Sequence, residues 1–600
     1  MPHAPSDTWD LDPLYAGGPA GDPFRADADR IAAELDGLVA RADGTPARLE
    51  GPALDVFAQL LLDLEDLSVR LEQLGTFAGC AAAADAQGKP AIRAEARASE
   101  LWNRFGRAWV VPAARLARGH ADDLAALLAH PRLGHMRGMI EERRHLARFR
   151  LPEAEDALAT ELARDGVIAW GELYDVTSGA LKIRFDRGKG PEDLSPGQLS
   201  TVLSNDDKAL RDSAHVALVE GWRGVGDTCA RVLTHLTGTR QVLNARRGLD
   251  TLDEPLANAK IERRTLEAML EAARRAQPMM HRYLALKAKA MGQDALSWSD
   301  TVSLLGTSSG DISYAHAQDF IVEQFGSFAP GLADFAVKAF RERWIEVEDR
   351  PGKRGGGFCA DVPILRQSRI FMTWGGSLRS VSTLAHELGH AYHNEVLHTV
   401  SPSQRRVPMT LAETASTFAE ALVREASLEQ ETDPGRRLRL LDGSLSDALA
   451  FLCNIPARFE LEQSFYRLRS EGPLEAEALS AETEAIFQRW YGPSVPRVDP
   501  TYWSSKLHFF IPTLAFYNFP YTFGFCFANL VYERFRPMGA AGLPGYADLL
   551  RRTGDAWAEP IARDALGLDL GDPETWMRAL GPVERDFAAF EKLVEELPAR

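Results

Sequence analysis

Two histidines and a glutamate form the pattern His-Glu-x-x-His in this chain, at His386, Glu387 and His390. On a helix, positions four apart lie roughly 40° apart around the axis and about 6 Å apart along it. Two imidazoles at that spacing can bind one metal ion. Glu387 lies on the adjacent flank, where it could take a proton from a metal-bound water and pass it to a leaving amine. The pattern predicts a zinc peptidase with one zinc ion per chain.

The alternative for this motif is a solvated helix face that carries two histidines by accident. The neighbouring residues argue against it. Leu384, Leu388 and Ala391 give the predicted helix an apolar side, and the run 375–377, Gly-Gly-Ser, supplies a break before it. The motif is therefore expected on a helix that packs against a core.

A catalytic zinc site needs a third protein ligand and one position left open for water. The metzincin arrangement would need Gly at position 393 and His at position 396, but this chain has His393 and Val396, which excludes that class. His393 would also lie about 10 Å along the axis from His386. We therefore expect His393 to be a packing residue or a partner of a ligand.

The third ligand is expected to be a carboxylate on a following helix, over residues 411–420. Glu413 and Glu420 are seven residues apart and share one face of that helix. Either could point at the metal, and Glu420 or Glu425 could instead be solvated. The spacing gives Glu413 a modest preference.

Several segments together resemble peptidase family M3, the group of thimet oligopeptidase and oligoendopeptidase F. The first is His386–His390 followed by Glu413-Thr-Ala-Ser. The oligoendopeptidase F branch is also similar at residues 355–363 (Gly-Gly-Gly-Phe-Cys-Ala-Asp-Val-Pro) and at residues 375–383. A third similarity covers His508-Phe-Phe and residues 516–524. The resemblance extends from about residue 10 to near the C-terminus.

The resemblance implies a site and an activity. It implies zinc ligands at His386, His390 and Glu413, and a catalytic base at Glu387. It also implies that His508, Tyr517 and Tyr521 bind substrate and stabilise the oxyanion. The family pattern Tyr-x-Tyr-Gln-Tyr is here Tyr-Asn-Phe-Pro-Tyr, over residues 517–521, which leaves open which tyrosine donates to the oxyanion. The implied enzyme is a zinc-dependent oligoendopeptidase that cleaves internal bonds of short unfolded peptides.

The expected fold is mainly α, with a small β element next to the zinc helix. The resemblance implies two helical lobes around a deep channel. Leucines at 60, 64, 67, 71 and 74 predict a long helix in an ordinary helical hairpin. Residues 180–185 read as a short strand and residues 186–191 as a turn, so we place a boundary between an N-terminal helical lobe, 1–190, and a catalytic domain, 191–600.

Two more strands are predicted before the zinc helix, at residues 358–365 and 369–374. A free strand edge can hold an extended peptide by its backbone. The candidate edge is Thr373, Trp374 and Gly375, and a β-turn leading into the helix is an equally good interpretation of these residues.

Composition restricts the partners and the compartment. The formal net charge of −17 argues against a nucleic-acid surface. Five scattered cysteines argue against a disulfide framework and favour a reducing compartment. The N-terminus has no secretory signal pattern, so a cytoplasmic location is expected.

The apolar stretch 509–532 contains two prolines and two asparagines, which favours a buried wall over a membrane span. Short peptides are the expected partners, and the oligomeric state is left open.

The sequence is also compatible with two other functions. A zinc exopeptidase, either a dipeptidyl carboxypeptidase or a carboxypeptidase, would need a group that grips the free C-terminal carboxylate, and the sequence does not place one. A non-catalytic peptide-binding protein with a structural zinc would usually close all four positions with Cys and His. No Cys lies near the motif and the base Glu387 is present, which makes this reading the weaker one.

Overall fold

The structure is a computed structural model of the chain, and it describes residues 6–188, 190–307 and 310–596. Helices make up most of it, and the two sheets are small, which confirms the predicted mainly α class. Among the described helices, none combines the length and the apolar character that crossing a membrane would require.

The helices and strands are numbered here in chain order. The helices are α1 Asp22–Asp43, α2 Pro52–Ala84, α3 Lys89–Ala108, α4 Val110–Arg118, α5 Ala121–Ala129, α6 Arg137–Ala147, α7 Glu153–Ala163, α8 Ala169–Ala180, α9 Pro196–Ser200, α10 Lys208–Arg223, α11 Gly226–Arg247, α12 Asp253–Asn258, α13 Arg263–Ala290, α14 Tyr314–Phe328, α15 Pro330–Arg341, α16 Leu378–Leu397, α17 Met409–Ala412, α18 Thr414–Gln430, α19 Pro434–Leu449, α20 Ile455–Glu471, α21 Ala476–Tyr491, α22 Tyr502–Ser505, α23 Phe519–Phe535, α24 Leu543–Arg552, α25 Ala558–Leu566, α26 Pro573–Arg578 and α27 Gly581–Glu596. The strands are β1 Ile183–Asp186, β2 Pro191–Leu194, β3 Ile345–Glu346, β4 Phe358–Val362 and β5 Gln367–Phe371.

The chain forms two compact units, and each unit is assembled from three segments. The first unit contains Met1–Arg148, Ser309–Glu429 and Ala528–Gly567. The second unit contains Phe149–Ser308, Gln430–Phe527 and Leu568–Arg600. The division into an N-terminal lobe, 1–190, and a catalytic domain, 191–600, is drawn along the sequence and stays a prediction.

Helix α2 carries much of the core of the first unit. Its leucines at 60, 64, 67, 71 and 74 are at most 1% exposed, as their spacing predicts. The helix begins after Gly51, which has a φ of 54°, and Pro52 occupies the first turn, where its missing N–H costs nothing. α2 packs against α1 and α3, so the predicted helical packing is confirmed.

A three-stranded sheet lies beside the helix that carries the histidine motif. Its order is β3-β5-β4, with β3 parallel and β4 antiparallel to β5. The Asn394 side-chain nitrogen donates to Ser368 Oγ at 3.1 Å, and a 2.7 Å hydrogen bond joins His398 Nε2 to Asp361 Oδ1. These bonds tie α16 to β5 and β4. Both strands predicted next to the helix are therefore present, although each is shorter than expected.

A two-stranded hairpin in the second unit explains the turn seen in the sequence. β1 pairs antiparallel with β2, and Asp186 Oδ1 accepts hydrogen bonds from the backbone N–H groups of Gly188 and Gly190. The predicted strand and turn are confirmed. The returning strand β2 was not foreseen, because its sequence Pro-Glu-Asp-Leu has no apolar alternation.

Candidate active site

The histidine motif lies on α16, and local chemistry fixes where this helix begins. Ser377 caps it by accepting a hydrogen bond from the backbone N–H of Ser380, and Gly376 before it has a φ of 64°, a region that favours glycine. The apolar side predicted from the sequence is buried, with Leu384, Leu388 and Ala391 at most 1% exposed. The motif is therefore on a packed helix, as predicted.

Glu413 lies at the junction between α17 and α18, and not inside one continuous helix. A close helix contact brings it to the histidines. A Cβ on Gly389 would lie 2.5 Å from the carbonyl oxygen of Ala415 and 2.6 Å from Ser416 Cα, so only glycine allows the two backbones to come this close. Ser416 Oγ donates to Glu413 Oε2 at 2.7 Å, which orients the carboxylate.

Three ligand atoms converge at this point. His386 Nε2 and His390 Nε2 are 3.1 Å apart, and Glu413 Oε2 lies 3.4 Å and 3.3 Å from them. Among the described residues, these three form a group that could hold a metal ion. A zinc ion bound tetrahedrally at about 2.0–2.1 Å separates its ligand atoms by roughly 3.3 Å. The spacing of the three atoms fits such an ion.

The charges around these atoms also favour a cation. Burial lowers the pKa of His386, but the hydrogen bond to Glu420 and the charges of Glu420, Glu413 and Glu387 outweigh it and raise that pKa to about 9. Burial raises the pKa of Glu413, but hydrogen bonds from His390 and Ser416, with the charges of both histidines, bring it down to about 2. The cluster thus stabilises positive charge between its members, where a metal would lie.

Glu420 does not lie with the three ligand atoms. Its Oε1 is 3.0 Å from Nδ1 of His386, on the other side of the ring. A carboxylate in that position holds the imidazole in the tautomer whose Nε2 can bind metal. Glu425 is farther along α18 and pairs with Arg536 at 3.1 Å. Glu413 Oε2 therefore lies beside both Nε2 atoms, whereas Glu420 contacts Nδ1 of His386.

Glu387 is buried beside this cluster, with 6% of its surface exposed. Its Oε2 makes no hydrogen bond to any described residue. Burial raises the pKa of Glu387, while His386 and His390 oppose the rise. A buried carboxylate oxygen without a partner and with a raised pKa can both accept and return a proton.

His393, the third histidine of the stretch, points away from the three ligand atoms. It is 3% exposed, and a 2.8 Å hydrogen bond joins its Nε2 to the hydroxyl of Thr553. Burial lowers its pKa to about 4, so the ring is neutral. The expectation that His393 packs and does not bind metal agrees with this position.

His508, Tyr517 and Tyr521 lie together in the second unit. The His508 ring stacks on Tyr517 with centroids 4.7 Å apart. The Tyr521 hydroxyl donates to the Tyr517 hydroxyl at 3.4 Å, which leaves the hydrogen of Tyr517 free for another acceptor. Phe516, just before this group, has a φ of 53°, and its N–H donates to the buried carboxylate of Glu462 at 2.7 Å. That contact holds the strained backbone that aims Tyr517.

Two residues that the sequence analysis did not identify as functional, Asn518 and Arg458, influence the protonation of His508. Its Nδ1 lies 3.0 Å from Asn518 Oδ1. An amide oxygen only accepts, so this contact favours the tautomer with the proton on Nδ1, while Arg458 Nη1, a donor, lies farther from the same nitrogen, at 3.4 Å. Arg458 also donates to Asn518 Oδ1, at 3.1 Å. Burial and then the charge of Arg458 lower the pKa of His508, which keeps the ring neutral.

The predicted peptide-binding edge, Thr373, Trp374 and Gly375, follows the central strand of the sheet. β5 is the central strand, because β3 pairs with its far side, and the Trp374 N–H after it donates to Val347 O at 2.9 Å. Thr373 and Gly375 lie in the same irregular segment. The outer strand on the other side is β4. A direct role of Thr373, Trp374 and Gly375 in binding substrate stays a prediction.

Comparison with known proteins gives matches over most of the chain. The family model described as Peptidase family M3 matches residues 331–581, and the model described as Oligopeptidase F matches residues 116–183. Oligoendopeptidase F, chromosomal, from Lactococcus lactis subsp. cremoris is 24% identical over 435 residues, which covers 71% of this chain and 71% of that protein. Oligopeptidase PepF from Bacillus subtilis (strain 168) is 23% identical over 471 residues, covering 76% of this chain and 67% of that protein.

Solved structures show the same fold. Oligoendopeptidase-F from Enterococcus faecium superposes with a TM-score of 0.69 at 19% identity, covering 96% of this chain and 100% of that chain. PZ peptidase A with inhibitor 2 superposes with a TM-score of 0.69 at 14% identity, covering 94% of this chain and 98% of that chain.

Proposed function

This chain belongs to peptidase family M3 and is a metalloendopeptidase, and from that premise we propose that it is a zinc-dependent oligoendopeptidase acting on internal bonds of short unfolded peptides. The observation that carries the proposal is the cluster of His386, His390 and Glu413, whose ligand atoms lie 3.1–3.4 Å apart beside the buried carboxylate of Glu387. A structural zinc site would not need that fourth residue.

In this proposal the family's catalytic metal is zinc, held by His386, His390 and Glu413. Two imidazoles and one carboxylate are a donor set that catalytic zinc uses in peptidases. When bound, such an ion polarises the scissile carbonyl and lowers the pKa of a coordinated water towards about 7. Glu420 fixes the orientation of His386 through the 3.0 Å contact with its Nδ1.

Glu387 is the proposed general base and then the general acid. Its Oε2 has no hydrogen-bond partner among the described residues, so it is available to take the proton of the attacking water. The raised pKa makes the protonated carboxyl stable long enough to hand that proton to the departing amine. Glutamine at this position would keep the shape and lose the proton transfer.

Tyr517, Tyr521 and His508 are proposed to act on the substrate, as the family resemblance implies. The Tyr521 hydroxyl supports that of Tyr517, so Tyr517 is the better candidate for donating to the tetrahedral oxygen. Removing such a donor typically lowers the rate about 100- to 1,000-fold. With the proton on Nδ1, the tautomer that the Asn518 contact favours, Nε2 of His508 would accept a hydrogen bond from a peptide N–H of the substrate.

The cytoplasm is the proposed location. All five cysteines are free, and a chain with several unpaired thiols is better suited to a reducing compartment. The proposed partners are short peptides. A channel between helical lobes, which would exclude folded proteins, remains part of this proposal.

The test is to map cleavage sites by mass spectrometry, using short peptides with both ends blocked and one folded protein. The purified enzyme is compared with a chelator-treated sample and with Glu387→Gln. We expect internal cuts in the blocked peptides and none in the folded protein. Both chelator and Glu387→Gln should abolish turnover, while Glu387→Gln keeps its metal. Cleavage restricted to peptides with a free C-terminus would instead indicate an exopeptidase, and metal binding without any cleavage would indicate a binding protein.

A further inference from the structure

A cavity of about 390 Å³ lies beside the metal-ligating group, within the first unit. One wall is the face of α16 that includes His390, Asn394 and Leu397, and the opposite wall is the segment from Arg405 to Ala412. A substrate group in this cavity would therefore lie next to one of the ligands that hold the metal. The chemistry of the second wall decides what that group could be.

Two arginines line this wall without a carboxylate partner. Arg405 donates from Nε and Nη2 to the carbonyl oxygen of Val400, at 3.1 Å and 3.0 Å. Arg406 is exposed and makes no hydrogen bond or ion pair with any described residue. Glu72 is close enough for Arg405 to oppose the rise in the Glu72 pKa, yet the two form no ion pair. Both guanidiniums thus keep capacity for an anion from outside the protein.

A third arginine adds to the positive potential. Burial and then the charge of Arg406 lower the pKa of Arg143 to about 10. The Arg143 guanidinium packs over Trp109 at 4.6 Å, and its Nε has no partner among the described residues. Like charges gathered in this way raise each other's energy. Because the chain has a net charge of −17, a cluster of three arginines is unusual in it and indicates a site that binds an anion.

We propose that this cavity is a carboxylate-binding subsite for peptide substrates, in which Arg405 and Arg406 hold a carboxylate beside the metal centre. The inference rests on the proposed function and deepens it by naming a substrate class. Arginine suits this task because its planar fork binds a carboxylate through two parallel hydrogen bonds. The carboxylate can come from an aspartate or glutamate side chain, or from the C-terminus of the peptide.

The experiment measures both binding and cleavage on the full-length zinc enzyme. Two pairs of fluorescent peptides are compared. The peptides of the first pair have both ends blocked and differ only in Glu or Gln at one internal position. The peptides of the second pair contain no internal acidic residue and differ only in a free or an amidated C-terminus. The internal position is moved along the peptide. Binding is measured with Glu387→Gln, so that it does not depend on turnover. Each assay is repeated with Arg406→Gln and Arg405→Gln, and with Arg93→Gln as the control, because Arg93 is another exposed arginine, on α3, and forms no ion pair with a described residue.

We expect one carboxylate peptide to bind and react about 10- to 100-fold better than its uncharged twin, the range typical of one charge-assisted hydrogen bond. Arg406→Gln should remove that advantage and leave the uncharged peptides unchanged, and Arg93→Gln should change neither. An advantage of the blocked Glu peptide assigns the site to acidic side chains. An advantage of the free C-terminus alone assigns it to terminal carboxylates.

Two results would overturn the proposal. Equal binding of all four peptides, while wild type cleaves them, would reject the subsite and leave the endopeptidase intact. An advantage that survives both arginine substitutions would place the carboxylate elsewhere. If no peptide is cleaved, the proposed function fails, but the binding data with Glu387→Gln still decide whether the cavity takes a carboxylate.

Discussion

Replacing Gly389 by alanine is the sharpest test of how this fold assembles its site. Gly389 lies inside the histidine motif, one residue before His390, and its Cα faces the backbone of α18. An added methyl group would lie 2.5 Å from the Ala415 carbonyl oxygen and 2.6 Å from Ser416 Cα. Ordinary contact begins at 3.4 Å, so the helices would have to separate by about 0.9 Å, the difference between 3.4 Å and 2.5 Å. Both obstacles are backbone atoms, which cannot rotate away.

The separation should be felt directly at Glu413, two residues before Ala415. Its Oε2 now lies 3.3–3.4 Å from the two histidine nitrogens. Metal–ligand distances tolerate about 0.2 Å, so a displacement near 0.9 Å would open the ligand set. We expect Gly389→Ala to lower zinc affinity about 100-fold, the upper range for disturbing the support of a ligand, and to lower the free energy of unfolding by about 1–3 kcal/mol.

Competition with a chromogenic chelator measures the zinc affinity, and urea unfolding of the metal-free protein measures the stability. Gly37→Ala is the matched control, since Gly37 is also inside a helix but has no atom within 4 Å of the added methyl group. It should stabilise the protein by about 0.5–1 kcal/mol, through helix propensity alone, and leave zinc binding unchanged. Wild-type zinc affinity in Gly389→Ala would show that the close helix contact does not set the position of Glu413.

Three further predictions concern residues that contact the histidine–glutamate cluster or lie in or beside the cluster of His508, Tyr517 and Tyr521. Glu420→Ala should weaken zinc binding about 10- to 100-fold in the same competition assay, because His386 loses the carboxylate that orients it; no change would mean that this contact is incidental. Tyr517→Phe should lower kcat about 100- to 1,000-fold. Tyr521→Phe should lower it less, because the Tyr521 hydroxyl donates to the Tyr517 hydroxyl and acts on the substrate only through it. The reverse order in steady-state kinetics would exchange the roles of the two tyrosines. Burial raises the pKa of Glu462 from 4.5 to about 7, so the stability that it contributes is present below pH 4.5 and is lost as the pH rises through 7. The free energy of unfolding of Glu462→Gln, measured in urea relative to that of wild type, should therefore rise by roughly 3 kcal/mol between pH 4.5 and pH 8. If the difference between the two proteins stayed constant across this range, the raised pKa of Glu462 would be contradicted.

The spacing of residues in the sequence predicted the helix that carries the two histidines. The His-Glu-x-x-His spacing and the apolar positions at 384, 388 and 391 predicted a packed helix with two imidazoles on one side, and α16 has both. The preference for Glu413 over Glu420 rested on spacing, and Glu413 is the one of the two whose carboxylate groups with His386 and His390, while its role as a ligand stays a prediction. The break between α17 and α18 was not visible, because no Gly or Pro marks it in the sequence.

Features built from distant segments could not be predicted in the same way. β3 is two residues long, too short for any periodicity, yet its pairing makes β5 the central strand of the sheet and leaves β4 as one of the two outer strands. Arg143 and Arg406 are more than 250 residues apart in sequence and meet only through tertiary packing. The neighbours of His508 were missed because an arginine and an asparagine on separate segments carry no motif.

The segmented build of each unit has a consequence for how the protein is made. The chain leaves and re-enters the two units at residues 148, 308, 429, 527 and 567, so neither unit is a continuous stretch of sequence. On a ribosome, the proposed metal ligands emerge long before the last segment of their unit, which ends at Gly567. Apolar surface on the early segments must then wait for partners that have not yet been translated. We expect folding to complete only near the end of synthesis, with a dependence on chaperones that a chain of consecutive domains would not show.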